Sequence, residues 1–162
     1  MEREGFGVEA HRMDLEKLLT DAEAYARTLP AKHPFRQIRQ DDPRVEKSVL
    51  ADPERIGQVL RNLLSNAAKY SPEGTPIELR VIGKKGRVRL EVADRGPGIH
   101  PDDVVRIFEK FGRGRDREGR KTPGVGLGLY LSRRIVRGHG SELTVEARPG
   151  GGSVFGFELA VV

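Results

Sequence analysis

The chain has 162 residues, of which 36% are hydrophobic and 33% are charged, so its length and composition fit a single globular domain. No apolar run approaches the ~18 residues that a membrane-spanning helix needs, and residues 1–12 lack the apolar stretch of an export signal. We therefore expect a cytoplasmic protein. The absence of cysteine excludes disulfides, thiol catalysis and thiolate metal sites.

The net charge of +5 is concentrated in one glycine-containing stretch over residues 110–121. Such a cluster favours an anionic partner, either a nucleic acid or a bound polyphosphate, because both are neutralised by Arg and Lys. Composition does not separate these two partners. The basic residues of the stretch are Lys110, Arg113, Arg115, Arg117, Arg120 and Lys121.

Helices and strands are predicted to alternate along the chain. Apolar residues at helical spacing predict an amphipathic helix over 14–28, and a second, more strongly patterned helix begins at an Asp-Pro pair and covers 53–70. A third helix opens at 124–128 and ends near 138. Strands are predicted over 35–40, 45–51, 77–82, 88–93, 142–147 and 154–161. This order predicts the α+β class: a two-layer α/β sandwich with a mixed sheet of about five strands, covered on one face by three helices.

The helix over 53–70 carries a narrow polar stripe beside its apolar face. A turn of about 100° per residue places Asn62, Asn66 and Lys69 on this stripe. Amide oxygens are hard ligands that suit Mg²⁺, and a lysine one turn on can meet a phosphate. The alternative is a solvated polar stripe, and the helix alone does not separate the two.

Two glycine-rich motifs follow. The sequence DRGPG at Asp94–Gly98 comes directly after a strand, where a flat ligand could lie on bare backbone while the carboxylate accepts from its amino group. By itself this motif could equally be a tight turn. Alternate glycines at 124–128 open the third helix, where backbone N–H groups bind phosphate well.

Taken in chain order, five motifs resemble the ATP-binding catalytic domain of bacterial sensor histidine kinases, within the superfamily that includes gyrase and heat-shock chaperone ATPases. Five motifs in this order are more specific than any one of them. The resemblance covers about residues 14–160 and implies a Bergerat-type ATP-binding fold. The motifs are similar to the N box at Asn62–Ser71, the first Gly box at Asp94–Ile99, the F box at Ile107–Phe111, the second Gly box at Gly124–Leu129 and the closing strand motif at Gly150–Phe155.

The resemblance implies how the base of ATP would be bound. Asp94 would bind the adenine amino group, with Ser153 supporting it through water, and Tyr70 would lie along the base or ribose. Gly98 would leave room at the backbone. The complete set of ATP-binding residues that the resemblance implies is Asn62, Asn66, Lys69, Tyr70, Asp94, Gly96, Gly98, Ile99, Phe108, Phe111, Gly124, Val125, Gly126, Leu127, Gly128, Leu129 and Ser153.

The resemblance also implies roles around the phosphates. Asn66 would hold Mg²⁺, and the amides of 126–129 would cradle the phosphates at a helix N-terminus. A mobile ATP lid would cover about 101–123, pinned by Phe108 and Phe111, with Lys110, Arg113 or Arg115 reaching the triphosphate. Phosphoryl transfer needs mainly positioning and charge neutralisation. The residues given catalytic roles are Asn62, Lys69, Lys110 and Arg113.

One position discriminates within this superfamily. Its ATP-hydrolysing members carry a glutamate one helical turn before the Mg²⁺-binding asparagine, where this chain has Asn62. An amide has no useful basicity, so the chain resembles a kinase that passes its γ-phosphoryl group to an external nucleophile.

None of the four histidines lies in a motif similar to that of a phosphoacceptor histidine. We therefore expect residues 1–13 to be a linker remnant from a separate dimerisation and phosphoacceptor domain, and 14–162 to be the catalytic domain. The domain alone is expected to be monomeric and unable to phosphorylate itself. The full-length kinase would be a homodimer, with or without a membrane anchor, that acts on a response regulator.

Three other functions remain as alternatives. An anti-sigma-type protein-serine kinase shares this fold, but the spelling of the F box and second Gly box favours the histidine kinase. A non-catalytic nucleotide-binding module is a second alternative, disfavoured by the intact Asn66 and Asp94. A nucleic-acid binder is the third, but no aromatic residues interleave the basic stretch, and we expect no nucleic-acid partner.

Overall fold

A computed structural model describes residues 7–29, 33–40, 48–112, 114 and 127–162. Within these ranges, no helix combines the length and the hydrophobicity that crossing a bilayer requires. The α-helices are α1 (Leu15–Ala26), α2 (Pro53–Tyr70) and α3 (Gly128–Gly138). The strands are β1 (His11–Asp14), β2 (Phe35–Gln40), β3 (Ser48–Ala51), β4 (Ile77–Lys84), β5 (Arg87–Ala93), β6 (Thr144–Ala147) and β7 (Ser153–Val161). Single-turn 3₁₀ helices cover Pro101–Asp103 and Arg106–Phe108.

Helix α2 has the bounds that its sequence predicts. The Asp52 side chain caps it by accepting a hydrogen bond from the Arg55 backbone N–H at 3.2 Å, and Pro53 occupies the first turn, where no partner for its nitrogen is needed. The helix ends at Tyr70, and its C-cap Ser71 comes directly before a proline. Its buried residues, spaced three and four apart, are Ile56, Val59, Leu60, Leu63, Leu64, Ala67 and Ala68.

The strands of the described residues form one mixed sheet in the order β1-β3-β7-β5-β4-β2, with β6 paired to β7. Only β2 and β4 run parallel among these pairs. Helix α2 packs between α1 and α3 and contacts β4 and β5. The predicted α+β class with three helices on one sheet is confirmed.

Two details of the fold differ from the prediction. The sheet has seven strands in the described residues, whereas a sheet of about five is predicted; six of the seven overlap predicted strands, and the seventh is β1, whose four residues show little apolar alternation. Strand β1 pairs with β3 from His11 onward, so the sheet begins inside the segment assigned to a linker. Pairing with a neighbouring strand, and not local apolar pattern, holds β1 in the sheet.

The two faces of the sheet differ in chemistry. Alternate residues of a strand point to opposite faces, and in β5 and β7 one set is apolar and buried beneath the helices. The other set forms what we call the open face, which carries interleaved charges of both signs. The open face includes Glu78 and Arg80 of β4, Arg89 and Glu91 of β5, and Glu158 of β7.

Candidate functional site

Asp94 lies directly after β5 and is 8% exposed. Its Oδ1 accepts hydrogen bonds from the backbone N–H groups of Gly96 at 2.8 Å and Ser153 at 3.3 Å. Within the described part of the chain, every hydrogen bond to this carboxylate ends on Oδ1. One oxygen is thus fixed by backbone donors, and Oδ2 is left to accept from a ligand. The backbone N–H of Ser153 thus contacts the carboxylate directly, and the predicted support of Asp94 by this residue through water stays a prediction.

Burial raises the pKa of Asp94 above its ordinary value, while the N–H donors of Gly96 and Ser153 and the charge of Arg148 oppose this rise. In the unfolded chain the carboxyl has its lower, ordinary pKa. The buried charge therefore costs free energy of folding at high pH, and the cost is relieved as the pH falls through the raised pKa. A ligand that needs the ionised carboxylate binds more weakly over the same fall in pH.

The backbone packs closely around Asp94. A Cβ added to Gly152, whose φ is +106°, would overlap the Asp94 carbonyl oxygen. A Cβ on Gly96 would lie 3.2 Å from the Tyr70 carbonyl oxygen, so the Asp94 loop meets the end of α2. Gly98, the third glycine near the carboxylate, is buried with a φ of +73°. Glycine at 96 and 152 therefore lets the end of α2 and the turn before β7 pack closely against the Asp94 loop.

Asn62 and Asn66 occupy successive turns of α2 and differ in their contacts. Asn62 Nδ2 donates to Ser132 Oγ of α3 at 3.1 Å, and a Cβ on Gly128 would overlap Asn62 Oδ1. Asn62 therefore ties α2 to the first turn of α3. Asn66 is half-buried, and no described residue forms a hydrogen bond with its side chain. Its amide is available to a ligand.

Lys69 and Tyr70 close the polar stripe at the end of α2. Lys69 is exposed, and its Nζ lies 5.4 Å from the centre of the Tyr70 ring. Tyr70 is half-buried beside the Asp94 loop, which its carbonyl oxygen approaches at Gly96. The stripe thus runs from the start of α3, at Asn62, to Asp94.

The N-terminus of α3 has no side-chain cap among the described residues. The helix begins at Gly128, with half-buried Leu127 before it and half-buried Leu129 after it. Uncapped first-turn N–H groups are suited to an anion. The predicted site residues Gly124, Val125 and Gly126 lie outside the described residues.

The segment assigned to a lid, about 101–123, is described over 101–112 and at 114. Phe108 is buried and packs edge-to-face on Phe155 with 6.3 Å between ring centres. Phe111 differs: it is 61% exposed, has a φ of +59°, and its ring has Lys110 Nζ at 5.6 Å. Phe108 anchors the segment, but Phe111 does not, because its turn directs the ring outward. Arg113 and residues 115–123 lie outside the described residues.

A cavity of 440 Å³ lies between the Ile99–Val104 segment and β6. Ile99 and Ser153, both predicted ATP-binding residues, line it. Asp94 and the α2 asparagines are not among its described lining residues. The cavity therefore borders the Asp94 loop without including the polar stripe.

Sequence reasoning missed two arginines that hold the Asp94 loop. Arg148 Nη1 donates to the Asp94 carbonyl oxygen at 3.2 Å, and Arg95 Nη1 donates to the carbonyl oxygens of Pro149 at 2.8 Å and Gly151 at 3.2 Å. The available signal was the interruption of an apolar strand by Glu78, the ion-pair partner of Arg148 at 2.9 Å.

Metal binding at this site would depend on few protein ligands. The described residues hold no cluster of three His, Asp or Glu side chains that could bind a metal. The free amide of Asn66 is a hard oxygen donor, which suits Mg²⁺ when the ligand itself supplies further oxygens. The donor set fits a metal that enters together with phosphates.

The fold and the site define a class of nucleotide-binding domain. Residues 51–162 match the profile of the family described as histidine kinase-, DNA gyrase B- and HSP90-like ATPase, and the chain belongs to this family.

Individual relatives point to one branch of the family. The sensor histidine kinase YkoH of Bacillus subtilis is 39% identical over 150 residues, which are 93% of this chain and 32% of YkoH. The chain spans about a third of the length of the curated relatives it matches.

Two solved structures have the same fold. The nucleotide-free catalytic domain of the histidine kinase ThkA has a TM-score of 0.77 and 30% identity, covering 94% of this chain and 98% of the ThkA chain. Full-length ShkA in complex with AMPPNP has a TM-score of 0.75 and 30% identity, covering 98% of this chain and 33% of ShkA.

Proposed function

We propose that this domain binds Mg-ATP and donates its γ-phosphoryl group to a histidine on a separate dimerisation domain, in two-component signalling. The observation that carries the proposal is the buried Asp94 carboxylate, held on Oδ1 by two backbone N–H groups. An acceptor fixed in this way discriminates for a base that presents an amino group. Its position next to the α2 stripe supports ATP as the ligand.

The remaining ATP would extend from Asp94 along α2. Tyr70 would lie along the base or ribose. Lys69 belongs to the α2 stripe and Lys110 to the segment assigned to the lid, and both side chains are exposed, which supports a role for these cations in binding the phosphates. The uncapped N–H groups at the start of α3 are suited to the same phosphates.

Asn66 is the residue we propose for holding Mg²⁺. Its side chain is half-buried and makes no hydrogen bond with a described residue, whereas Asn62 is committed to α3. The ion, when bound, would bridge and partly neutralise the phosphates.

The position of Asn62 supports transfer over hydrolysis. Its amide nitrogen is engaged by Ser132 at 3.1 Å, and an amide cannot act as the base that activates a water. On this proposal the acceptor is a nucleophile supplied from outside this site.

The proposal places this domain in a longer kinase that dimerises, acts on a response regulator and works in the cytoplasm, where ATP is available. The chain's similarity to sensor kinases three times its length supports this arrangement. On this proposal the catalytic domain starts with β1 at His11, earlier than residue 14.

Replacing Asn66 by alanine is expected to remove most of the Mg²⁺ dependence of ATP binding. Calorimetric titration with ATP, with and without Mg²⁺, measures this difference. Gln58→Ala, two turns earlier on the same helix, is the matched control and should keep the wild-type response. An Asn66→Ala domain whose ATP affinity still rises with Mg²⁺ as in the wild type would exclude this residue as the ligand.

Incubation with γ-labelled ATP tests the direction of transfer. The domain alone should acquire no label, and adding the phosphoacceptor domain of a relative such as YkoH should yield label on that domain's histidine. The Asp94→Asn domain serves as the control and should transfer nothing. Stable label on a histidine of this chain would contradict the proposal.

A further inference from the structure

Arg148 lies in the turn between β6 and β7 and is 6% exposed. Its backbone closes the turn: its N–H donates to the Gly152 carbonyl at 3.1 Å, and its carbonyl accepts from the Gly151 N–H at 3.0 Å. Its side chain crosses the end of β5, where Nη1 donates to the Asp94 carbonyl oxygen at 3.2 Å. Nη2 reaches Glu78 Oε1 of β4 at 2.9 Å. One guanidinium therefore joins β4, the end of β5 and the turn before β7.

Glu78 is a firm anchor for this guanidinium. It is buried on the open face, opposite Ala93 in the β4–β5 ladder. Its Oε1 meets Arg148, and its Oε2 accepts from Arg80 Nε at 3.0 Å. Burial would raise the pKa of Glu78, but Arg80 and Arg148 hold that pKa below its usual value. Glu78 is therefore ionised, with both oxygens occupied.

The charge of Arg148 also acts on the Asp94 side chain. Burial raises the pKa of Asp94, and among the described cations the guanidinium of Arg148 is the one that opposes the rise by its charge. The backbone donors from Gly96 and Ser153 orient the carboxylate but carry no full charge. Arg148 thus acts on Asp94 in two ways: it donates a hydrogen bond to the backbone carbonyl, and its charge favours the ionised form of the carboxyl group.

We propose that Arg148 is a positioning residue for nucleotide binding: anchored on Glu78, it holds the end of β5 through the Asp94 backbone carbonyl and keeps a positive charge close to the Asp94 carboxylate. It acts through Asp94 and does not contact the nucleotide. The inference rests on the proposed role of Asp94 in binding ATP.

A residue that only fastened the sheet would lower stability without changing how binding depends on pH. The proposed role of Arg148 also predicts a change in the pH dependence of ATP binding. Removal of the charge lets the Asp94 carboxyl protonate at a higher pH, so the acid limb of the ATP-binding profile moves upward. The position of that limb separates the two roles.

Arg148→Met should weaken ATP binding at pH 7 by at least about tenfold, the usual effect of losing a charged hydrogen bond at a buried site. Its acid limb should lie at higher pH than in the wild type. Arg148→Lys keeps the charge but cannot bridge Asp94 and Glu78 as a fork, so affinity should fall while the limb stays near the wild-type position. Arg89→Met removes an arginine of the open face that is ion-paired with Glu91 at 2.8 Å, and it should change neither property.

Carboxyl-carbon NMR titration of Asp94 without nucleotide makes the test independent of ATP. The pKa of Asp94 should rise in Arg148→Met and remain unchanged in Arg89→Met. If Arg148→Met does not fold, Arg148→Lys provides the test, because its ATP affinity should fall while the acid limb of its binding profile stays near the wild-type pH. Wild-type affinity, acid limb and Asp94 titration in a folded Arg148→Met domain would overturn the proposal. A wild-type domain that binds no ATP, but shows the NMR coupling, would instead contradict the proposed function.

Discussion

Replacement of Asp94 by asparagine is expected to weaken ATP binding by at least about a hundredfold, since it leaves a mismatched polar pair in a buried site. The carboxylate Oδ1 already accepts from the N–H groups of Gly96 and Ser153. An asparagine oxygen that keeps those two bonds turns its NH₂ group toward the adenine amino group, so two donors face each other. Calorimetric titration with ATP at pH 7 measures the loss.

Asp102→Asn is the matched control for this substitution. Asp102 lies on the short 3₁₀ helix after the Asp94 loop, with its side chain 78% exposed, and the same chemical change there should leave ATP affinity unchanged. Both variants should unfold cooperatively in urea. An Asp94→Asn domain that binds ATP within a few-fold of the wild type would remove Asp94 from the site.

Gly152→Ala is expected to be the most damaging small substitution near the site, with a loss of about 3 kcal/mol in the free energy of unfolding. The residue has a φ of +106°, which strains any residue with a Cβ, and the new methyl group would overlap the Asp94 carbonyl oxygen. That oxygen also accepts from Arg148, so the methyl displaces a bonded group. Urea unfolding measures the loss, and ATP affinity should fall with it.

The neighbouring glycine separates the two causes. Gly151 has a φ of +109°, yet nothing lies within 4 Å of a Cβ placed there. Gly151→Ala should therefore show only the backbone strain, about 1–2 kcal/mol. The difference between the two variants measures the contact with Asp94. Equal losses in the two variants would show that this contact contributes nothing.

The fold was predictable where the local pattern of side chains decides it. Helix α2 has its predicted bounds because its cap, its proline and its apolar spacing are all local features. Strand β1 was not predicted, since its four residues have no apolar alternation and are held by pairing with β3.

The site was predictable to the same extent. Asp94, Asn62 and Asn66 belong to motifs of contiguous residues, and the structure joins those motifs through the Gly96–Tyr70 and Gly128–Asn62 contacts. The role of Arg148 depends on the register that sets Glu78 opposite Ala93, which no local pattern encodes. Phe111 has the residue type of an anchor, but its backbone turn exposes the ring.

Titration of the wild-type domain with ATP and GTP in the presence of Mg²⁺ tests the central claim most directly. The carboxylate of Asp94 accepts hydrogen bonds, so it should bind the adenine amino group and repel the carbonyl oxygen that guanine presents at the same position. The account predicts clear binding of ATP and at least about tenfold weaker binding of GTP. Equal binding of both nucleotides, or no ATP binding by a folded domain, would contradict it.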